Sequence, residues 1–129
     1  MRILLADDIK DTRDMFSLFF ALEGYQTQTA ENGAQAVAAV KQSTEAFDVL
    51  VLDIQMPVMD GWEALRTIRQ MPQGQRLPII LFTAHPDTDI KQRALAEGAN
   101  DLLHKPFLPS EMIERISQVC AKAKAQANS

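Results

Sequence analysis

Short runs of apolar residues, each followed by a polar side chain, set the hydrophobic pattern of this chain. They lie at residues 3–6, 49–52, 78–82 and 102–103. Runs of this length that are rich in leucine, isoleucine and valine predict strands buried on both faces of a sheet. A further stretch, Tyr25 to Thr29, alternates in side-chain character, which predicts a less buried strand at an edge.

Between these strands, apolar residues recur at the spacing of helices. The predicted helices end at Glu23, follow Asn32 and Gly33, start at Trp62, span about Asp87 to Glu97, and start again at Pro109 and Ser110. Five strands alternating with five helices predict an α/β fold, a flavodoxin-like doubly wound sheet of five parallel strands with helices on both faces. In the expected strand order, 2-1-3-4-5, a crevice opens above the carboxyl ends of the first and third strands.

The polar residues that end the strands are the candidate functional groups. Asp7 and Asp8 follow the first strand, and Asp53 follows the third. Thr83 ends the fourth strand and Lys105 the fifth. Because the carboxyl ends of parallel strands share one edge, we expect these side chains to gather in one pocket. Three carboxylates this close repel by about 4 kcal/mol per pair at 4 Å in a surface-like dielectric, so a cation is expected among them.

The donor set favours a particular chemistry. Oxygen ligands with no sulfur and little imidazole suit a hard divalent ion such as Mg²⁺. With that ion bound, a phosphoryl group on Asp53 becomes tolerable, because Lys105 and the Thr83 hydroxyl can share its oxygens with the metal. Taken singly, these residues have plainer interpretations as a solvated turn, a strand-end hydroxyl and a surface lysine. Their joint appearance at four strand ends favours a shared site.

Composition and charge exclude several classes of function. The 129 residues predict a single domain over residues 1–122, followed by a polar tail at 123–129 that is expected to fray. The net charge of -4 and the lack of a basic cluster argue against direct binding of nucleic acid. No apolar run reaches the length of a membrane span, and the single Cys120 excludes an internal disulfide. We therefore expect no membrane association and a cytoplasmic location.

Four segments together resemble a known family. They are ILLADD, VLVLDIQMPVMDG, IILFTA and LLHKPF, in the order and spacing found in the receiver domains of two-component response regulators, closest to the stand-alone chemotaxis type. The resemblance covers nearly the whole chain. It implies that Asp53 accepts a phosphoryl group from a sensor histidine kinase or a histidine phosphotransfer protein, with Mg²⁺ as cofactor. The chain would then be a signalling switch that catalyses only its own phosphoryl transfer and dephosphorylation.

The same resemblance implies a set of metal ligands. Asp8 would bind the ion directly beside Asp53. Asp7 would act mainly through a metal-bound water. The backbone carbonyl of Gln55 would complete the ligands that the protein provides.

Other positions take their expected roles from the same family. Thr83 resembles the switch hydroxyl, and Lys105 resembles the phosphate-binding lysine. Gln55 and His85 lie two residues beyond the acceptor and the threonine, where the family tunes the lifetime of the phosphoryl group. Our hypothesis is that these two residues set the access of the hydrolytic water. The family's peptide bond before Pro106 is cis, a state that costs much less before proline than elsewhere.

The sequence departs from the family at Leu102. The family usually has a tyrosine or phenylalanine at this position, which swings inward when the threonine moves toward the phosphoryl group, and a leucine cannot make that rotation. The resemblance also implies a read-out surface on the fourth helix, the fifth strand and the fifth helix, roughly Ile90 to Val119. With no effector module expected on the chain, the output would pass to a separate downstream protein.

Three alternatives stay open. A phosphorelay intermediate, which hands the phosphoryl group onward, needs the aromatic switch less. A haloacid dehalogenase-like phosphatase also uses a strand-end aspartate and Mg²⁺, but it has a second aspartate two residues later, where this chain has Gln55, and it needs a larger scaffold. A flavodoxin-like module binds a flavin phosphate at its first loop, but the loop here, ADDIKD, would repel phosphate without a metal.

Overall fold

The computed structural model describes residues 1–127 and contains five strands and five α-helices in alternation. In chain order they are β1 (Arg2–Ala6), α1 (Lys10–Leu22), β2 (Gln26–Ala30), α2 (Gly33–Gln42), β3 (Val49–Asp53), α3 (Gly61–Arg69), β4 (Ile79–Thr83), α4 (Ile90–Ala96), β5 (Asp101–His104) and α5 (Pro109–Ala127). All strand pairs are parallel, and the order is β2-β1-β3-β4-β5. The predicted fold class and strand order are confirmed, and β2 is an edge strand as expected.

The central strand β3 shows why the sheet is covered on both faces. Its five residues are all buried. Because side chains alternate along a strand, Leu50 and Leu52 lie in one apolar cluster with residues of α2, α3 and α4. Val49 and Val51 lie in a second cluster with residues of α1 and α5. The continuous apolar run therefore supplies two cores at once.

Two boundaries differ from the prediction by more than one residue. Helix α4 begins at Ile90 and not near Asp87, because the residues before it form turns closed by side chains. The Asp87 carboxylate accepts a hydrogen bond from the Asp89 N–H at 2.9 Å, a local bond that competes with helix formation. Helix α5 continues to Ala127, so residues 123–127 of the expected polar tail are helical. Residues 128 and 129 of that tail lie outside the described residues.

None of the helices within residues 1–127 combines the length and the apolar character needed to cross a membrane.

The loop between β3 and α3 folds back tightly on the end of β3. The Asp60 side chain accepts the Glu63 N–H at 2.9 Å and caps α3, and the Gly61 N–H donates to the Ile54 carbonyl at 2.8 Å. A Cβ atom at position 61 would lie 2.5 Å from the Asp53 carbonyl oxygen and 2.6 Å from the Ile54 Cα. This close approach requires glycine, and it fixes the backbone that follows Asp53.

Gly61→Ala is expected to lower the free energy of unfolding by about 1–3 kcal/mol, because the new methyl group overlaps main-chain atoms that cannot rotate away. Helix propensity alone would favour alanine by up to about 1 kcal/mol, so the sign of the change is diagnostic. Urea unfolding monitored by circular dichroism measures it.

The comparison variant is Gly24→Ala, at a glycine with φ of +82° where an added methyl group would meet no atom within 4 Å. That substitution should cost about 1–2 kcal/mol through backbone strain alone, and it should leave the loop after Asp53 untouched. An unfolding free energy of Gly61→Ala equal to or above that of the wild type would contradict the steric account.

Candidate functional site

Three carboxylates gather at the carboxyl ends of β1 and β3. Asp7, Asp8 and Asp53 each offer one oxygen, and these oxygens all lie within 4.8 Å of one another. The adjacent strands bring them together, because Ala6 of β1 is in register with Leu52 of β3. Asp7 is fully buried and Asp53 is 3% exposed, whereas Asp8 is exposed. The pocket therefore concentrates negative charge, part of it away from water.

One ammonium group faces these carboxylates from the end of β5. The Lys105 Nζ lies 3.6 Å from Asp53 Oδ2 and 3.9 Å from Asp7 Oδ2. It also lies 5.0 Å from the centroid of the Phe82 ring, which forms the apolar wall beside it. The peptide bond between Lys105 and Pro106 is cis, in agreement with the resemblance. When all three carboxylates are ionised, the Lys105 ammonium alone does not balance their charge.

Burial dominates the acid–base behaviour of the cluster. It raises the pKa of Asp53 from 3.8 to about 6, although the Lys105 ammonium opposes the increase. The Asp7 carboxylate raises the Asp53 pKa further, and the Gln55 N–H, which donates to Asp53 Oδ1 at 3.2 Å, lowers it. Burial also raises the pKa of Asp7, despite a hydrogen bond from the Ile9 N–H. The cluster therefore retains protons readily unless another cation neutralises it.

The residues present fit a hard divalent cation. Every ligand atom in the cluster is a carboxylate oxygen, the type of donor that Mg²⁺ prefers. The Asp7 Oδ2 atom is buried and, within residues 1–127, accepts no hydrogen bond. A buried oxygen without a donor is costly, and a metal ion or one of its water ligands would satisfy it. Asp7, Asp8 and Asp53 could therefore hold such an ion.

Thr83 and the two residues expected to tune lifetime line a cleft that opens beside the carboxylates. The cleft has a volume of about 880 Å³, and its walls include Asp8, Gln55, Thr83 and His85. Thr83 itself is fully buried at the end of β4, and its hydroxyl oxygen accepts the His85 N–H at 3.0 Å. Trp62 on α3 forms a buried part of the same wall. The sequence-predicted residues thus lie on one edge of the sheet.

Leu102 is a core residue. It is 2% exposed and lies in the apolar cluster that contains Ala94 of α4 and Ala99. Its side chain is therefore part of the apolar core, at the position where the resemblance expects a mobile aromatic ring.

Two residues at the edge of the site, Arg13 and His104, were not among the site residues predicted from the sequence. Arg13 on α1 donates from Nη1 to the Asp7 carbonyl at 2.9 Å, and its Nη2 lies 3.7 Å from Glu31 Oε1. His104, the residue before Lys105, contacts the loop that follows Thr83. Nothing in the pattern singled out Arg13, because its contacts depend on how α1 packs. The position of His104 within LLHKPF was a usable signal.

Comparison with known sequences points to one family. The family model for the response regulator receiver domain matches residues 3–117. An uncharacterised 14.6 kDa protein of Leptolyngbya boryana, from the region 3' of sodA1, is 38% identical over 120 residues, which make up 93% of this chain and 90% of that protein. The chain also matches response regulators and transcriptional regulatory proteins, and it spans about half of their length.

Solved structures agree with the sequence comparison. The chemotaxis response regulator CheY4 of Vibrio cholerae is 33% identical with a TM-score of 0.84, over 92% of this chain and 97% of that chain. The receiver domain of the sensor histidine kinase PA1611 from Pseudomonas aeruginosa is 30% identical with a TM-score of 0.84, over 93% of this chain and 97% of that chain. That receiver domain has a magnesium ion coordinated in its active site cleft.

Asp53→Asn is expected to stabilise the metal-free protein at neutral pH. Because the pKa of Asp53 is about 6 in the folded chain and near 3.8 when unfolded, the folded chain holds the proton more tightly. The free energy of unfolding therefore falls as the pH rises from about 4 to about 6, and above that range the ionised carboxylate costs about 1–3 kcal/mol. Urea unfolding with a chelator at about pH 7.5 should give a higher free energy of unfolding for the variant than for the wild type. This difference should shrink toward about pH 4.

Asp14→Asn serves as the control, because Asp14 is exposed and its partner Lys10 lies one helical turn away at 2.7 Å. Replacing this exposed residue should change the free energy of unfolding little and should leave the pH dependence of the wild type in place. If the metal-free Asp53→Asn protein were less stable than the wild type at neutral pH, the claim that the buried Asp53 charge lowers stability would be refuted.

Proposed function

Because the chain belongs to the response regulator receiver domain family, whose members act as phosphorylation-dependent signalling switches, we propose that Asp53 accepts a phosphoryl group in a Mg²⁺-dependent reaction. The donor is a phosphohistidine of a sensor histidine kinase or of a histidine phosphotransfer protein. The observation that supports this most is the position of Asp53, nearly buried at the end of β3, with two carboxylates and the Lys105 ammonium around it. The receiver unit is residues 1–122, and the single Cys120 fits a reducing cytoplasm.

The transfer forms one bond and breaks another. An ionised oxygen of Asp53 attacks the phosphorus, the bond from phosphorus to the imidazole nitrogen breaks, and its electron pair stays on that nitrogen. Since the pKa of Asp53 is about 6, the carboxylate is largely ionised at neutral pH and available for attack. The Lys105 ammonium, 3.6 Å from Asp53, binds a phosphoryl oxygen, and the Thr83 hydroxyl donates to another.

A bound Mg²⁺ would supply positive charge that offsets the phosphoryl oxygens and the surrounding carboxylates. Asp8, Asp53 and the Gln55 carbonyl would hold it, and Asp7 would contribute mainly through a water. In hydrolysis, water attacks the phosphorus, the bond from phosphorus to the Asp53 oxygen breaks, and inorganic phosphate leaves, which regenerates the carboxylate. Gln55 and His85, which line the adjoining cleft, set the access of that water.

The product of phosphorylation is a conformational state. Its read-out surface is formed by α4, β5 and α5, and it acts on a separate downstream protein. A shift from 1:99 to 99:1 between two states needs about 5.5 kcal/mol of differential contacts, so the phosphoryl group must make bonds in one state that it cannot make in the other. The buried Leu102 favours a second role, that of a phosphorelay intermediate, because no aromatic ring at this position reports to the surface.

Incubation with acetyl phosphate and Mg²⁺ should add one phosphoryl group to the chain, detected by intact mass and located on Asp53 by peptide mapping. Asp53→Asn should abolish the addition, because an amide is not a nucleophile of comparable strength. Asp14→Asn, at an exposed aspartate, should be labelled like the wild type. Labelling at another residue, or equal labelling of Asp53→Asn, would refute the proposal.

Mg²⁺ alone should raise the thermal midpoint of the unmodified protein, because a ligand that binds only the folded chain stabilises it by about 2.7 kcal/mol at one hundred times its dissociation constant. Asp8→Asn should remove most of this increase, since Asp8 is the exposed carboxylate of the cluster and a proposed direct ligand. Asp14→Asn should retain it. A thermal midpoint that is independent of Mg²⁺ in the wild type would exclude the metal site.

A further inference from the structure

Three hydrogen bonds in series join the buried Thr83 hydroxyl to His104 at the end of β5. The His85 N–H donates to Thr83 Oγ1 at 3.0 Å. The Asp87 N–H donates to His85 Nδ1 at 3.1 Å. The Asp87 carbonyl oxygen lies 3.1 Å from His104 Nε2. The path runs along the loop between β4 and α4 and returns to the sheet on the neighbouring strand.

The chemistry of the partners fixes the role of each ring. A carbonyl oxygen only accepts, so His104 Nε2 carries the hydrogen and donates it to Asp87. A backbone N–H only donates, so His85 Nδ1 offers a lone pair. The two histidines of the sequence therefore hold the backbone N–H and the backbone carbonyl of one residue, Asp87. Together with the Asp87 carboxylate, which accepts the Asp89 N–H, these contacts hold the segment that precedes α4.

The chain of bonds couples the Thr83 hydroxyl to the position of the loop. If this oxygen moves toward a phosphoryl group on Asp53, the His85 N–H must follow it or lose its acceptor. His104 resists that movement, because it belongs to β5, whose end is joined to β4 by a bond from the Lys105 N–H to the Thr83 carbonyl at 2.7 Å. Leu102 is packed in the core and has no comparable polar link to the loop.

We propose that His104 is a positioning residue for the phosphorylation switch. Its bond to the Asp87 carbonyl holds the loop, and through His85 the Thr83 hydroxyl, in the arrangement of the unphosphorylated chain. Phosphorylation of Asp53 proceeds against this bond, so its loss favours the phosphorylated arrangement. This inference rests on the proposed function, and it gives the chain a loop contact at position 104 where the family uses an aromatic ring at position 102.

Two substitutions separate the hydrogen bond from the bulk of the ring. His104→Leu removes the donor and keeps a side chain of moderate size. His104→Gln keeps an N–H donor at about the distance of Nε2 from the backbone. A net hydrogen bond of ordinary strength changes a two-state equilibrium by about two- to tenfold, which sets the size of the expected effect.

The readout is the apparent affinity for beryllofluoride, a mimic of the phosphoryl group, in the presence of Mg²⁺. His104→Leu should bind it about two- to tenfold more tightly than the wild type, and His104→Gln should bind it like the wild type. Hydrogen exchange of peptides covering residues 84–90 in the unmodified protein should be faster in His104→Leu than in His104→Gln. A merely structural role would change the unfolding free energy without tightening the affinity.

The outcomes distinguish this inference from the function on which it rests. If the wild type binds beryllofluoride and His104→Leu binds it equally or more weakly, the role of His104 is refuted and the proposed function stands. If His104→Gln tightens binding as much as His104→Leu does, the hydrogen bond is not the cause and the inference also fails. If the wild type shows no binding with Mg²⁺ and no labelling by acetyl phosphate, the proposed function fails and this inference fails with it.

Discussion

The main physical constraint on this structure is the burial of negatively charged carboxylates at the carboxyl ends of two adjacent strands, β1 and β3. Asp7 and Asp53 have almost no contact with water, and Lys105 balances only part of their charge. Burial raises the pKa of both carboxylates, so keeping them ionised at neutral pH costs free energy. A cation among these carboxylates would offset their mutual repulsion.

The packing of the sheet holds these carboxylates close together despite their repulsion. The apolar runs of β1, β3 and β4 are buried on both faces, and two apolar clusters cover them. The strand ends are therefore fixed by register, and close main-chain contacts such as that of Gly61 with Asp53 fix the loops. Carboxylates on flexible loops would separate and become solvated, whereas here the core prevents that separation.

The loop after β4 has the opposite character. It has no apolar anchor of its own between Thr83 and Ile90, and polar bonds through His85, Asp87 and His104 hold it in place. Such bonds contribute about 1 kcal/mol each, so they can be exchanged without disturbing the core. The rigid acidic pocket therefore lies beside a loop that weak hydrogen bonds hold in place. Such a loop can move after a chemical change in the pocket, and its movement can alter the surface beyond it.

The sequence by itself determined the strands, the edge strand and the groups that end the strands, because apolar runs and turn residues are local signals. The expected strand order followed from the alternation of strands with helices. It could place Asp53, Thr83 and Lys105 on one edge, since parallel strands share their carboxyl ends. Only the tertiary structure decided the pKa of Asp53 and the contact of His104 with Asp87. Burial and side-chain contacts between distant segments depend on how helices and loops pack, and no pattern of neighbouring residues encodes those distances.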